Sequence, residues 1–141
     1  MKYLKIHTLE KGYKENEDII LHAVFQVLTD YVEIEKPFKW FDWETKKEKE
    51  LKKEIKYLYK WWTKIRPNRV DAYTCMSEVK EYAEPEPNPT EDMDTYSLRI
   101  PLSTPEFKAA CRKAYNKDNC YIREDIRMAK RVIDIMHYMW T

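Results

Sequence analysis

Glycine is nearly absent from this sequence, since Gly12 is the only glycine among 141 residues. An average protein uses glycine at about 7% of its positions. A chain with a single glycine can form few tight turns that need a positive φ angle, which disfavours hairpin-rich β folds. Glycine-rich phosphate-binding loops are disfavoured for the same reason, and neither the Walker nor the dinucleotide-binding fingerprint occurs in the sequence.

The sequence also lacks a large net charge, which is +1 with neutral histidines. So small a net charge creates no global field of the kind that makes a protein bind DNA indiscriminately. The charges are unevenly distributed, because residues 70–104 carry 2 basic and 8 acidic side chains while the flanking segments are net basic. This middle segment also contains Pro85, Pro87 and Pro89, and it predicts a solvated, acidic, proline-rich loop at about 70–104. Such a loop is either a passive connector or an acidic arm that docks on a basic surface.

The spacing of the cysteines matches no redox or metal-binding motif. The three cysteines, Cys75, Cys111 and Cys120, are an odd number without C-x-x-C spacing, and the sequence contains neither a signal peptide nor a long apolar segment. We therefore expect an intracellular, reduced protein without a membrane association. Cys111 and Cys120 could meet across a helix turn, but two small, buried, free side chains are the simpler expectation.

Hydrophobic periodicity predicts two helices in the first half of the chain. The first begins at Asn16, where Glu17 and Asp18 follow at the positive end of the helix dipole, and runs to about Lys36, where Pro37 stops it. The second begins near Thr45, because residues 45–48 form a capping box, and it ends at residues 66–67. The predicted buried residues of the first helix are Ile20, Val24, Val27, Leu28 and Tyr31, widened by Leu21, Phe25 and Val32, and those of the second are Leu51, Ile55, Leu58, Trp62 and Ile65.

Two more helices are predicted near the end of the chain. The third begins at Thr104 with Pro105 at its first helical position, and a polar break at residues 116–119 separates it from a fourth helix over residues 122–140. Residues 2–9 alternate loosely and could pair as a short strand with residues 98–102. The sequence thus predicts one mainly α domain over residues 1–141, a compact bundle or array of about four helices with a minor two-stranded β element.

A lysine-rich and aromatic surface is the first candidate for function. Lys56, Lys60 and Lys64 recur every four residues along the second helix, and Tyr57 and Trp61 lie beside them, outside the predicted buried stripe. Cations that neutralise phosphates next to rings that stack on bases are typical of nucleotide or single-strand binding. The alternative is structural: the aliphatic parts of the lysine side chains cover the edge of the hydrophobic core, and Tyr57 and Trp61 are half-buried beside them. The predicted ligand-binding residues are Tyr57, Lys60, Trp61, Lys64, Arg66 and Arg69.

The polar face of the first helix is a second candidate site, formed by His22, Gln26, Asp30 and Glu33. If this face lines a cleft, His22 with a carboxylate could bind a ligand or transfer a proton. The alternative is a solvent-facing stripe or a set of mutually satisfied hydrogen bonds.

Sites for metals and catalysis are weakly indicated. Asp134 and His137 are spaced as a metal-binding pair, but only one such pair occurs. Two carboxylate pairs, Glu50 with Glu54 and Glu124 with Asp125, approximate those that hold magnesium in all-helical nucleotide pyrophosphohydrolases. Ion pairs with neighbouring lysines on a solvated helix face explain the first pair more simply. We therefore predict no catalytic residue, no metal ligand and no cofactor.

Three segments, residues 21–33, 54–69 and 136–141, together resemble small proteins of unassigned function encoded by tailed bacteriophages. This resemblance covers about a third of the chain, in general texture and without a diagnostic motif. It implies a phage origin and a location in the cytoplasm of the host bacterial cell, and it assigns a role to no residue.

These observations predict a non-enzymatic phage accessory protein that binds a nucleotide or nucleic acid through its basic and aromatic surface. One alternative is a protein–protein interaction module, either an inhibitor of a host factor or a virion component. A second alternative is the magnesium-dependent pyrophosphohydrolase. Self-association is also expected, because the tryptophans at positions 40, 43, 61 and 140 exceed what so small a core readily buries.

Overall fold

A computed structural model describes residues 3–77, 79 and 103–139 of the chain. Over these residues the protein is mainly helical, with three long helices and no strand, which confirms the predicted fold class in its main feature. Residues 3–9, half of the predicted β element, form no strand, and their predicted partner at 98–102 lies outside the described residues. Most of the predicted acidic loop, residues 78 and 80–102, also lies outside them.

The first helix, α1, spans Asn16–Asp30 and continues as a π-helical turn over Tyr31–Glu35. It ends at Lys36, whose φ of 50° and ψ of 53° are left-handed. The residue before a proline is disfavoured in the right-handed helical region, so Pro37 ends the helix where the sequence predicted. The predicted start of the helix is confirmed, because Asn16 is the first helical residue and Glu17 and Asp18 lie in its first turn; Glu15 precedes it without a side-chain cap.

A short helix, α2, spans Pro37–Trp40, and the next long helix, α3, spans Lys46–Lys60. The predicted capping box is confirmed: Thr45 Oγ1 accepts a hydrogen bond from the Glu48 amide at 3.2 Å, and Glu48 Oε2 accepts one from the Thr45 amide at 2.9 Å. These bonds, with the Thr45 amide foremost, lower the pKa of Glu48. After α3 the chain continues through a π-helical turn, Trp61–Ile65, and a 3₁₀ turn, Arg66–Asn68.

A further 3₁₀ turn spans Ala72–Met76, and the last long helix, α4, spans Pro105–Ile135 before a final 3₁₀ turn at Met136–Tyr138. Thr104 caps α4 as predicted, because its Oγ1 accepts a hydrogen bond from the Phe107 amide at 3.1 Å. The predicted break at residues 116–119 is wrong, since one helix runs through it. Those residues include neither glycine nor proline, and Asn, Lys and Asp each cost at most about 0.7 kcal/mol relative to alanine inside a helix.

The chain divides into two compact units, one of residues 1–69 with 122–141 and the other of residues 70–121. The single domain over residues 1–141 stays a prediction. In the second unit Ala72, Ala110 and Ala114 are buried, and the Cys75 thiol lies 3.7 Å from the Ala110 carbonyl oxygen. All three cysteines are free as expected, but Cys111 is only half-buried and Cys120 is exposed, so the expectation that both are buried is wrong.

The core of the first unit is built from α1, α3 with its π-helical turn, and the second half of α4. Ile20 and Ile65, both predicted to be buried, are exposed, Ile20 to 63%. A π-helical turn accommodates more residues than an α-helical turn, so the turn at Trp61–Ile65 changes which side chains face inward. The buried residues are Leu21, Phe25, Leu28, Tyr31, Ile55, Leu58, Trp61, Trp62, Met128, Val132 and Met139.

Within the described residues no helix combines the length and the apolar character that crossing a membrane would need.

Candidate functional site

Two arginines after α3 converge on one carboxylate of α4. Arg66 donates to both oxygens of Asp125, from Nε at 3.2 Å and from Nη2 at 3.1 Å. Arg69 donates to Asp125 Oδ1 at 2.7 Å, and its Nη2 lies 2.8 Å from Glu124 Oε2. These four residues form the arginine–carboxylate cluster. Because its two cations face two anions at hydrogen-bonding distance, the cluster is internally neutralised.

Trp61 is tied to the same cluster. Its indole Nε1 donates to Glu124 Oε1 at 2.8 Å, and the side chain is only 1% exposed. A buried indole N–H needs an acceptor, since leaving it unpaired would cost about 1–3 kcal/mol. Glu124 therefore accepts from Trp61 while it also pairs with Arg69, which fixes the ring against α4.

An aromatic layer lies against the arginines. Phe25 and Trp62 stack with ring centroids 4.4 Å apart and an interplanar angle of 8°. The guanidinium of Arg66 lies 5.0 Å from the centroid of Trp62, and that of Arg69 lies 5.2 Å from the centroid of Trp61. Both cations thus have an aromatic face on one side and carboxylates on another, an arrangement that stabilises a partly desolvated guanidinium.

Of the six predicted ligand-binding residues, three are buried or paired with carboxylates and three are exposed. The placement of Trp61 outside the buried stripe is wrong, because Trp61 and its neighbour Trp62 both face the core. Arg66 and Arg69 are occupied by carboxylates, and their binding of an external ligand stays a prediction. The other three residues, Tyr57, Lys60 and Lys64, are exposed.

The polar face of α1 packs against the segment that precedes the helix. Gln26 is 4% exposed, accepts a hydrogen bond from the His7 amide at 3.1 Å and donates to Asp30 at 2.8 Å. Thr8 Oγ1 and His22 Nδ1 are hydrogen-bonded at 2.6 Å. Burial, and after it the nearby Arg66 cation, lowers the pKa of His22, which keeps the imidazole neutral near pH 7. Of the two interpretations left open, these contacts match the satisfied hydrogen-bond set.

Glu33, the last residue of that polar face, contacts α3. It accepts a hydrogen bond from the Tyr59 hydroxyl at 2.6 Å, and this bond raises the pKa of Tyr59. The contacts described here direct these polar residues to different partners, in the segment before α1 and in α3. His22 alone of the four lines a small cavity of about 240 Å³, together with residues of the segment before α1.

The carboxylate pairs considered for magnesium are largely engaged elsewhere. Glu54 accepts two hydrogen bonds from Arg131, at 2.6 and 2.7 Å, which raise the pKa of Arg131. Glu124 and Asp125 belong to the arginine–carboxylate cluster. In the part of the chain that the structure describes, no three His, Cys, Asp or Glu side chains are grouped as metal ligands.

Sequence reasoning missed an exposed aromatic pair after α1. Phe38 and Trp43 pack against the core with ring centroids 5.8 Å apart. Trp40 and Phe41, however, are 69% and 56% exposed. We call these two residues the aromatic turn. The sequence signal for this exposure is the spread of aromatic residues over positions 38–43. A short helix followed by extended backbone at Phe41 cannot turn every one of these rings inward.

An open groove of about 670 Å³ lies beside this turn. Its aromatic walls include Phe41, Trp43, Tyr31 and Tyr138, and its acidic lining includes Asp42, Glu48, Glu50 and Glu54, with Lys47 between them. We call it the acidic groove. No sequence pattern predicted it, because its lining comes from several separate parts of the chain: the π-helical turn after α1, the segment between α2 and α3, α3 itself, and the end of α4 with the turn that follows it.

Removing the carboxylate of Asp125 should destabilise the protein strongly. Asp125→Ala leaves Arg66 and Arg69 partly buried without their shared acceptor, and we expect the free energy of unfolding to fall by about 2–3 kcal/mol, below the value for a fully buried pair because water reaches the site. Urea denaturation measures this change. Asp134→Ala, at an exposed position of the same helix, is the matched control and should change the free energy by less than about 0.5 kcal/mol. Equal losses in the two variants would contradict the role of the cluster.

No family model, no curated protein sequence and no solved structure matches this chain. The resemblance to phage proteins therefore stays a prediction that rests on the three segments named above.

Proposed function

We propose that this protein is a protein-binding module whose contact surface is centred on the aromatic turn. The observation that carries the proposal is the exposure of Trp40 and Phe41, 69% and 56%, beside a groove that Phe41 also lines. Ile34, in the π-helical turn before α2, is exposed as well. Tryptophan and phenylalanine are enriched at protein interfaces, and exposed aromatic groups beside a concave surface are typical of binding sites.

Covering this surface would supply a substantial part of the energy that recognition needs. An aromatic side chain buries about 150–250 Å² when it is fully covered. At roughly 25 cal/mol per Å², covering the exposed parts of Trp40 and Phe41 contributes on the order of 5 kcal/mol before the cost of association. Two such anchors match the usual pattern in which a few aromatic residues supply most of the binding energy.

The arginine–carboxylate cluster supports an anionic ligand less well. An incoming phosphate would have to displace Asp125 from Arg66 and Arg69, and it would then lie beside two uncompensated carboxylates. Base stacking on Trp61 would require the ring to leave the core and its acceptor, Glu124. The protein-binding role requires neither rearrangement, because the aromatic turn is already exposed.

Site-specific cross-linking tests this proposal. A photoreactive phenylalanine analogue at position 40 should cross-link one defined protein in a bacterial lysate, whereas the same analogue at Tyr115, which is exposed in the other unit, should not. The captured protein, once purified, should bind the unmodified chain at least tenfold more tightly than the Trp40→Ala variant in calorimetry at high salt. Equal affinities for the two chains, or no cross-link specific to position 40, would rule out the aromatic turn as the contact surface.

A second candidate function is the binding of a nucleotide or nucleic acid on the exposed face of α3. The observation in its favour is that Lys60 and Lys64 are exposed and form no ion pair with another described residue, while Tyr57 beside them is 42% exposed. Arg131 lies 4.9 Å from the centroid of Tyr57, so one face of that ring is already occupied. This face therefore offers cations for phosphates and limited area for stacking.

Fluorescence anisotropy with a labelled single-stranded oligonucleotide tests the second candidate. The double variant Lys60→Ala/Lys64→Ala should weaken binding and reduce the slope of log affinity against log salt by about 1.4, which corresponds to two lost phosphate contacts. The double variant Lys108→Ala/Lys113→Ala removes two exposed lysines from α4 and should change neither quantity. The candidate fails if the two double variants behave alike.

A further inference from the structure

The acidic groove carries an excess of negative charge next to aromatic surface. Four carboxylates line it, and two of these are already engaged, since Glu54 pairs with Arg131 and Glu48 closes the capping box. Asp42 and Glu50 are exposed and form no hydrogen bond or ion pair with another described residue. They are therefore the groups that can accept hydrogen bonds from a bound cation.

The groove already holds one cation against an aromatic wall. Lys47 Nζ lies 4.9 Å from the centroid of the Tyr138 ring, within the distance at which an ammonium is attracted to an aromatic face. Phe41, Trp43 and Tyr31 supply further aromatic surface around the same space. Rings that contact the stem and head of a long cationic side chain, with carboxylates beside them, are the chemistry that recognises lysine and arginine.

We propose that the acidic groove binds a lysine- or arginine-bearing segment of the partner protein. The proposal rests on the protein-binding function and specifies the chemistry of the partner. Charge complementarity selects this occupant, because Asp42 and Glu50 would repel an acidic segment and would be left unpaired by an apolar one. The volume of about 670 Å³ lies within the range of about 300–1,000 Å³ that is usual for binding pockets. Phe41 belongs to both surfaces, so a segment in the groove would continue onto the aromatic turn.

The probe for this proposal is a fluorescein-labelled hexalysine peptide, with hexaglutamate as the reference peptide, followed by fluorescence anisotropy at physiological salt. We expect hexalysine to bind and hexaglutamate not to bind. Asp42→Asn/Glu50→Gln should weaken hexalysine binding at least fivefold, because it removes both unengaged carboxylates. Lys47→Ala should strengthen binding, because it removes the cation that competes for the groove.

The control variant is Glu17→Gln, an exposed carboxylate in the first turn of α1. At 1.5 Å per residue it lies about 20 Å along the helix from Tyr31, which lines the groove. This variant should leave hexalysine binding unchanged. The proposal would be overturned if the control and Asp42→Asn/Glu50→Gln lost the same affinity for hexalysine. Equal binding of the two peptides to the unmodified chain would also overturn it.

The outcomes for the groove and for the aromatic turn are distinguishable. If the protein captured at position 40 binds Asp42→Asn/Glu50→Gln as tightly as it binds the unmodified chain, the groove proposal is wrong and the protein-binding function stands. If hexalysine binding depends on the groove carboxylates but Trp40→Ala changes the affinity for no protein partner, the aromatic turn is not the contact surface. A dimer of this chain that Asp42→Asn/Glu50→Gln dissociates in analytical ultracentrifugation would overturn the proposal in favour of a second copy as the occupant.

Discussion

The carboxylate of Asp125 is the constraint on which the first unit depends most. It accepts hydrogen bonds from Arg66 and Arg69, two residues that lie beyond the end of α3, and so joins the chain after that helix to α4. The same arginines lie over Trp62 and Trp61, which face the core formed with Phe25 of α1. One anion thereby positions two cations, and the two cations cover the rings that fill the centre of the unit. Such an arrangement favours this packing of the three helices, because it brings each guanidinium together with both a carboxylate and an aromatic face.

Because these arginines pair with carboxylates inside the fold, a binding function is better sought on other surfaces. The residues that look most functional in the sequence, Trp61, Arg66 and Arg69, contact one another or the carboxylates of α4. Their side chains are engaged in contacts that stabilise the fold, so a ligand would have to compete with those contacts. Groups that the described contacts leave unused lie at the aromatic turn, along the acidic groove and on the exposed face of α3. A partner with apolar and basic side chains would complement both surfaces.

Local signals in the sequence predicted the features that depend on neighbouring residues. Pro37 restricts the residue before it, and Thr45 and Glu48 satisfy each other's amides, so these two helix boundaries follow from a few adjacent positions. The continuity of α4 through residues 116–119 did not follow, because a run of polar residues resembles a break in the apolar pattern although each costs little inside a helix.

The candidate site was less predictable than the helices, for a physical reason. Helical periodicity assumes 3.6 residues per turn, and the π-helical turn after α3 departs from that period at the point where Trp61 and Trp62 occur. The acceptor that allows Trp61 to be buried, Glu124, is 63 residues away along the chain. Contacts of that sequence separation are set by tertiary packing, so neither the burial of Trp61 nor the lining of the acidic groove could be derived from a local pattern.

The exchange of the tryptophan indole N–H protons with solvent tests the central claim most directly, namely that Trp61 belongs to the core and Trp40 to the surface. Nitrogen-edited NMR spectra recorded after transfer into D₂O, with signals assigned by single tryptophan-to-phenylalanine variants, give each rate separately. The account predicts slow exchange for Trp61, whose N–H is hydrogen-bonded to Glu124, and loss of the Trp40 signal within the first spectrum. Rapid exchange of Trp61 together with protection of Trp40 would contradict it.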